Sequence, residues 1–263
     1  MTKQLHGQKH ASRTPALVLL ILAVAALAAC APLPPRNPMA TWVPSKNHDI
    51  RAPQLIVLHF TDQDSVAQTL DTLRTANSGG PVSAHYLIGR DGHIYQLVSD
   101  TLRAWHAGGG RWGTITDVNS ASIGIEIDNN GHVPFPSAQI ASLINLLTDL
   151  TTRWNIPHAQ IIGHEDMAPA RKDDPGPLFP WATLAASGFG LWPDPAATLV
   201  DPPPGFDPWM ALTAIGYSLD DAPAAVRAFH NHFRGMGGDT MDAEDLRILY
   251  NLVGKIERGA TEK

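Results

Sequence analysis

Cysteine and basic charge are both scarce in this sequence. Its 263 residues include a single cysteine, so no disulfide framework can form within the chain. Acidic residues outnumber basic ones by 25 to 19, and a net charge of −6 argues against a nucleic-acid-binding surface. The longest apolar run, residues 14–29, is shorter than the ~20 residues that a membrane-spanning helix needs. What remains is a chain with 44% hydrophobic residues, enough for a sizeable buried core.

The first thirty residues have the pattern of a targeting segment. Three basic residues precede the apolar run, which ends in "LAAC" at Cys30. This pattern resembles a bacterial lipoprotein signal, so we expect residues 1–29 to be a signal peptide and Cys30 to be lipidated. An ordinary secretory signal with an incidental cysteine is the alternative. A Pro-rich tether over 30–44 would then join the lipid anchor to a periplasm-facing domain. Because Ala31, not Asp, follows the cysteine, we expect the outer membrane.

The rest of the chain has alternating strand and helix patterns and then a helical end. Short apolar runs predict strands, a helical apolar stripe predicts a long helix, and a "RDG" turn predicts a hairpin. This order predicts an α/β domain over 45–192, with a mixed β-sheet flanked by helices. A Pro-rich linker over 193–208 separates it from a small all-α domain of three helices over 209–263. The main predicted segments are Gln54–Phe60, Ser83–Val98, Ser122–Ile127, Ser137–Trp154 and Ile161–Gly163.

A charged, proline-rich stretch follows the last predicted strand. "GHEDMAPARKDDPGP" carries His, acids and bases on a segment that predicts neither helix nor strand. His164 stands at its start and Asp174 ten residues later, while His59 lies near the end of an earlier apolar strand. Two imidazoles and one carboxylate from separate segments are the ligand types of a catalytic zinc site. The spacing alone leaves zinc a minority hypothesis, because most histidines are not metal ligands.

Five motifs in order along the chain carry a more specific signal. They are "VLHFT", "SAHYLIGRDGHIYQLV", "AWHAG", "SIGIEI" and "GHEDMAPARKDDPGPLFPW". Together they resemble the zinc-dependent N-acetylmuramoyl-L-alanine amidases, a family that includes phage lysozyme-like amidases and peptidoglycan recognition proteins. The resemblance covers residues 42–192. With the lipoprotein-like start and a C-terminal segment similar to a three-helix peptidoglycan-binding module, the whole resembles an outer-membrane lipoprotein branch of the family.

The resemblance implies roles for individual residues. It places Zn²⁺ on His59, His164 and Asp174. It makes Glu126 the acid that handles the proton of a zinc-activated water, and Lys172 the cation that stabilises the oxyanion. Periodicity alone would equally allow Glu126 to face solvent, and Lys172 to be an ordinary loop lysine.

Several further residues have weaker assignments. Trp105 and His106 in "AWHAG" resemble a cleft wall that contacts substrate, although a packed Trp is about as common. Arg171 is a candidate for binding a stem-peptide carboxylate or for pairing with a neighbouring acid. Glu165 and Asp166 are interpreted as acids that structure the loop.

These observations predict a hydrolase that cuts the amide bond between N-acetylmuramic acid, or its anhydro form, and L-alanine of the stem peptide. The expected partners are peptidoglycan and muropeptides, and the expected state is a monomer. The alternatives are a non-catalytic peptidoglycan sensor and a zinc peptidase acting within the stem peptide. Glycan cleavage by Glu126 and Asp128 is disfavoured, because carboxylates two apart on one strand do not flank a substrate.

Overall fold

A six-stranded sheet is the centre of the computed structural model, which describes residues 36–50 and 53–261. The strands are β1 (Thr41–Trp42), β2 (His48–Ile50), β3 (Leu55–Phe60), β4 (Ala76–Asn77), β5 (Gly80–Pro81), β6 (Tyr86–Ile88), β7 (Ile94–Gln96), β8 (Leu102–Ala104), β9 (Ser122–Ile127) and β10 (Ile161–Gly163). The helices are α1 (Val66–Thr72), α2 (Val118–Ala121), α3 (Ser137–Trp154), α4 (His164–Met167), α5 (Trp181–Ala186), α6 (Pro208–Ile215), α7 (Ala222–Arg234) and α8 (Ala243–Thr261). Within these described ranges, no helix is long and apolar enough to cross a membrane.

The strand order in the main sheet is β1-β7-β6-β9-β3-β10. Strands β6, β9, β3 and β10 are parallel, and β7 runs antiparallel to β6 and parallel to β1. The remaining strands form two small antiparallel pairs, β2 with β8 and β4 with β5. The parallel strands therefore end at one common edge, where ligand sites of open α/β sheets form.

The two faces of the sheet are covered by different helices. Ile56 and Leu58 of β3, with the apolar residues of β9, pack against the buried stripe of α3. Leu55 and Val57, on the opposite face of β3, share a hydrophobic cluster with residues of α6, α7 and α8. Each fully buried Leu or Ile contributes about 1.5–3 kcal/mol. Since β3 is buried on both faces, it reads as a continuous apolar run.

Two of the three C-terminal helices begin at an aspartate that caps the first turn. Asp207 caps α6 by accepting hydrogen bonds from the backbone N–H groups of its first turn, and Pro208 occupies the first helical position. Asp221 caps α7 in the same way, and Gly235 with φ 59° ends it. The described residues, 36–50 and 53–261, lie in one compact unit that includes these helices and the sheet. The domain boundaries drawn from the sequence stay a prediction.

The predicted fold class, a mixed sheet flanked by helices with a helical C-terminal region, is confirmed. The strand over Ser122–Ile127 and the helix over Ser137–Trp154 have the predicted bounds. Two details differ. The segment after β10, predicted to be irregular, starts with the short helix α4. The end of the predicted tether over 30–44 joins the sheet as β1, because an extended chain can pair as an edge strand.

Candidate metal centre

Three polar side chains meet at the carboxyl edge of the parallel strands. His59 is the penultimate residue of β3, His164 directly follows β10, and Asp174 lies on the loop beyond α4. The Nδ1 atoms of the two histidines are 2.9 Å apart, and each lies 3.0 Å from Oδ2 of Asp174. All three side chains are buried. The structure thus brings the three sequence-predicted ligands into one cluster.

The outer nitrogen of His164 fixes which of its ring atoms carries a proton. Nε2 lies 2.9 Å from the carbonyl oxygen of Ala107, which can only accept a hydrogen bond. Nη2 of Arg171 also lies 3.3 Å from Nε2, but it already donates to the carbonyl oxygens of Ala107 and Gly109 at 2.6 and 2.7 Å. In the neutral ring, Nε2 therefore donates to Ala107, and Nδ1 presents a lone pair to Asp174.

A relay of hydrogen bonds likewise fixes which ring nitrogen of His59 carries a proton. The hydroxyl of Ser122 donates to the carbonyl of Val118, which leaves its oxygen to accept from Nε2 of His106, 3.1 Å away. Nδ1 of His106 then accepts from Nε2 of His59, at 3.0 Å. As a result, Nδ1 of His59 also presents a lone pair to the cluster. His106, predicted to contact substrate, in this structure holds the ring of His59.

The cluster therefore contains more acceptors than protons. Burial, followed by the neighbouring His164, lowers the pKa of His59 to about 4. Two imidazole lone pairs and an ionised carboxylate, all within 4.8 Å of one another, form a donor set that a divalent cation satisfies. This chemistry fits zinc.

A cavity of about 220 Å³ opens beside the cluster, and Glu126 and Lys172 line it. Glu126 is the cross-strand neighbour of His59, so both side chains leave the same face of the sheet. Its neighbours Ile125 and Ile127 lie in the core on the other face. Burial, with a further contribution from Asp174, raises the pKa of Glu126 to about 8, and the positive charge of Lys172 opposes this shift. A carboxyl group in this setting can exchange a proton near neutral pH.

The remaining predicted residues surround this cavity. Trp105 and Lys172 also line an adjoining cleft of about 580 Å³, so the space beside the cluster continues past these two residues. The guanidinium of Arg171 donates to the carbonyl oxygens of Ala107 and Gly109, at 2.6 and 2.7 Å. Arg171 therefore braces the turn that also holds His164. Cys30 lies outside the described residues.

Other residues of the site had no signal in the sequence. The side-chain oxygen of Asn119 accepts hydrogen bonds from the backbone N–H groups of His106 and Ala107, at 3.0 and 2.9 Å. Ser122 anchors the far end of the His59 relay. A polar residue in a short helix or at the start of a strand has many possible roles, and the roles of these two depend on contacts made only in the folded chain.

The chain is similar to several known proteins. A family model described as N-acetylmuramoyl-L-alanine amidase matches residues 49–177. The chain is 40% identical over 158 residues to the N-acetylmuramoyl-L-alanine amidase AmiD of Escherichia coli (strain K12), a match covering 54% of this chain and 55% of AmiD. It is 34% identical over 166 residues to the 1,6-anhydro-N-acetylmuramyl-L-alanine amidase AmpD of Enterobacter cloacae, covering 56% of this chain and 89% of AmpD.

Solved structures match a larger share of the chain. AmiD from E. coli, in complex with the substrate anhydro-N-acetylmuramic acid-L-Ala-D-gamma-Glu-L-Lys, has a TM-score of 0.67 at 36% identity and covers 78% of this chain and 90% of its own. AmpDh3 from Pseudomonas aeruginosa, in complex with anhydromuramic pentapeptide, has a TM-score of 0.69 at 30% identity, covering 86% and 99%. On these matches, the chain belongs to the N-acetylmuramoyl-L-alanine amidase family.

Proposed function

We propose that this protein is a zinc-dependent hydrolase of peptidoglycan. It cuts the amide bond between N-acetylmuramic acid, or its anhydro form, and the L-alanine of the stem peptide. The observation that carries the proposal is the convergence of three lone-pair donors, His59, His164 and Asp174, beside a cavity lined by Glu126 and Lys172. The muropeptide complexes of AmiD and AmpDh3 support the choice of substrate class.

His59, His164 and Asp174 would hold the zinc ion. A bound zinc ion polarises a carbonyl group and makes hydroxide accessible near neutral pH. The protein has to supply the ligand geometry, a proton acceptor and a positive charge near the scissile bond.

Glu126 has the position and pKa for the proton transfers. In its ionised form, Glu126 takes a proton from the attacking water as the new C–O bond forms, and it delivers that proton to the amine nitrogen as the C–N bond breaks. The product amine thus leaves neutral, and the carboxyl group returns to its starting state. Lys172, on the same cavity, stabilises the negative charge that develops on the carbonyl oxygen.

The test is digestion of purified sacculi and of anhydro-muropeptides by the full chain, with the products identified by mass spectrometry. We expect a free L-alanine amino terminus and a free lactyl carboxyl group on N-acetylmuramic acid or its anhydro form. We also expect activity to be lost on chelation and restored by zinc. Cleavage inside the stem peptide would instead support a zinc peptidase. Binding without any new terminus would support a sensor, and full turnover by the metal-free protein would overturn the mechanism.

The anchor is a separate proposal. The basic start, the apolar run and the "LAAC" sequence support lipidation at Cys30 and a periplasm-facing position at the outer membrane. We expect Cys30→Ala to yield unacylated protein that is released from the membrane fraction. Membrane attachment that persists in this variant would contradict the anchor.

A further inference from the structure

The loop that supplies His164 and Asp174 has a second, buried side. Glu165 and Asp166 directly follow His164, yet they are only 1% and 0% exposed and point away from the cavity residues towards the C-terminal helices. Buried carboxylates are costly unless hydrogen-bond donors surround them. The donors here come from two sources, the loop itself and the C-terminal region.

Glu165 links the two ends of the loop. Its backbone N–H donates to the carbonyl oxygen of Asp174 at 2.8 Å, and its Oε1 accepts from the N–H of Gly176 at 3.1 Å. Its other oxygen, Oε2, accepts from the side-chain amide of Asn231 on α7 at 2.6 Å. The distance between His164 and Asp174 therefore depends on the carboxyl group of Glu165, which a C-terminal helix holds in place.

Asp166 fixes the start of the same loop. It accepts from the backbone N–H of Gly163 at 2.6 Å, from Nδ1 of His232 at 2.7 Å and from the hydroxyl of Tyr217. The ring of His232 in turn stacks on Trp181, with centroids 3.7 Å apart. Gly163 is the last residue of β10, so this network sets the point from which His164 enters the site.

We propose that the C-terminal helices are part of the metal site's scaffold, with Asn231 and Tyr217 acting as positioning residues for His164 and Asp174. The inference rests on the zinc site proposed above and concerns how its geometry is maintained. It assigns the helices a role in the metal site itself, separate from any binding of the cell wall.

The test compares Asn231→Leu with the wild-type full chain. Leu has a similar volume but leaves Oε2 of Glu165 without its donor, so the loop can relax. We expect zinc affinity, measured by competition with a chromophoric chelator, to fall by about 10–100-fold, the usual effect of losing an outer-shell partner. We also expect an altered visible spectrum in the cobalt(II)-loaded protein, which reports the coordination geometry directly.

Asp245→Asn is the matched control. Asp245 lies on α8 and binds His230 and Arg234 within the C-terminal region, without contacting the loop. We expect this variant to melt at a lower temperature while keeping wild-type zinc affinity and cobalt spectrum. Equal loss of zinc affinity in the control would overturn the proposal, because general destabilisation would then explain the effect.

Tyr217→Phe provides a second variant if Asn231→Leu does not fold. It removes a single hydroxyl from the Asp166 network, and we expect a smaller loss of zinc affinity with the same kind of spectral change. If the folded variants keep the zinc affinity and the cobalt spectrum of the wild type, this inference is overturned and the proposed function is not affected. A wild-type protein that binds no zinc would overturn the proposed function, and this inference with it.

Discussion

Two buried acids on opposite sides of one loop have opposite surroundings. On the cavity side, Asp174 faces the lone pairs of His59 and His164. On the inner side, Asp166 faces the N–H and O–H groups of its own chain. The first cluster lacks positive charge and requires a cation, whereas the second is satisfied by hydrogen-bond donors. The direction of the hydrogen bonds, more than burial or charge, separates a ligand site from a structural network.

The largest effect is expected from a substitution of Asp174, the acid on the cavity side of the loop. Asp174→Asn removes the negative charge and turns an acceptor into a donor facing two imidazoles. We expect zinc affinity and amidase activity to fall by more than the 10–100-fold typical of an outer-shell loss. Metal content and muropeptide turnover are the measurements. Asp173→Asn, at an exposed neighbouring acid, is the control for metal content, and wild-type metal content in Asp174→Asn would contradict the ligand assignment.

The next effect separates metal binding from proton transfer. Glu126→Gln keeps the shape of the side chain but removes its ability to accept a proton. We expect zinc content to be unchanged and kcat to fall by about 10²–10⁴-fold. Asp128→Asn, two residues along the chain, is the control and should have a much smaller effect. An unchanged kcat in Glu126→Gln would leave this carboxyl group without a catalytic role.

Lys172→Met tests the positive charge near the scissile carbonyl. The side chain length is kept while the charge is lost, so a group acting only in the transition state should affect kcat and kcat/KM together. We expect a decrease of about 10²–10³-fold, the effect of removing one oxyanion donor. A rise in KM with an unchanged kcat would mean that Lys172 only binds substrate.

Asp166→Asn would disrupt the hydrogen-bond network on the inner side of the loop. The amide would turn a donor towards groups that themselves donate, so at least one hydrogen bond to the carboxylate is lost. We expect a loss of about 1.5–3 kcal/mol in the free energy of unfolding, measured by denaturant titration. In the metal-free protein, we expect Asp166→Asn to reduce stability more than Asp174→Asn does, because only Asp166 is satisfied by hydrogen-bond donors of the chain. Equal losses of stability would contradict this difference between the two acids.

The last expected effect is a pH dependence of stability in the metal-free protein. The pKa of Glu126 is about 8 when folded and about 4.5 when unfolded, so its ionisation disfavours the folded state as pH rises between these values. Glu126→Gln should therefore melt at a higher temperature than wild type at pH 9, with the difference vanishing below pH ~4.5. One pKa unit corresponds to about 1.4 kcal/mol, and the partial exposure of Glu126 reduces the full effect. A difference that does not change with pH would contradict the raised pKa.

Local pattern predicted much of this molecule, and long-range contacts account for the rest. The apolar stripe of Ser137–Trp154 and the run Ser122–Ile127 define their own elements, and parallel strand ends explain why His59 and His164 meet. The contacts behind the three proposed metal ligands could not be predicted from local sequence patterns. Tyr217 and Asn231 reach the loop across 51 and 66 residues of sequence, and no local pattern marks them. The position of His106 behind His59 likewise depends on two segments meeting in three dimensions.

The pairing of His59 with Glu126 on adjacent parallel strands has a consequence for folding. Side chains alternate between the faces of a strand, so a shift of β9 by one residue would turn Glu126 into the core and place an isoleucine beside the metal. The register of this one strand pair therefore decides whether the imidazole and the carboxyl group face the same cavity.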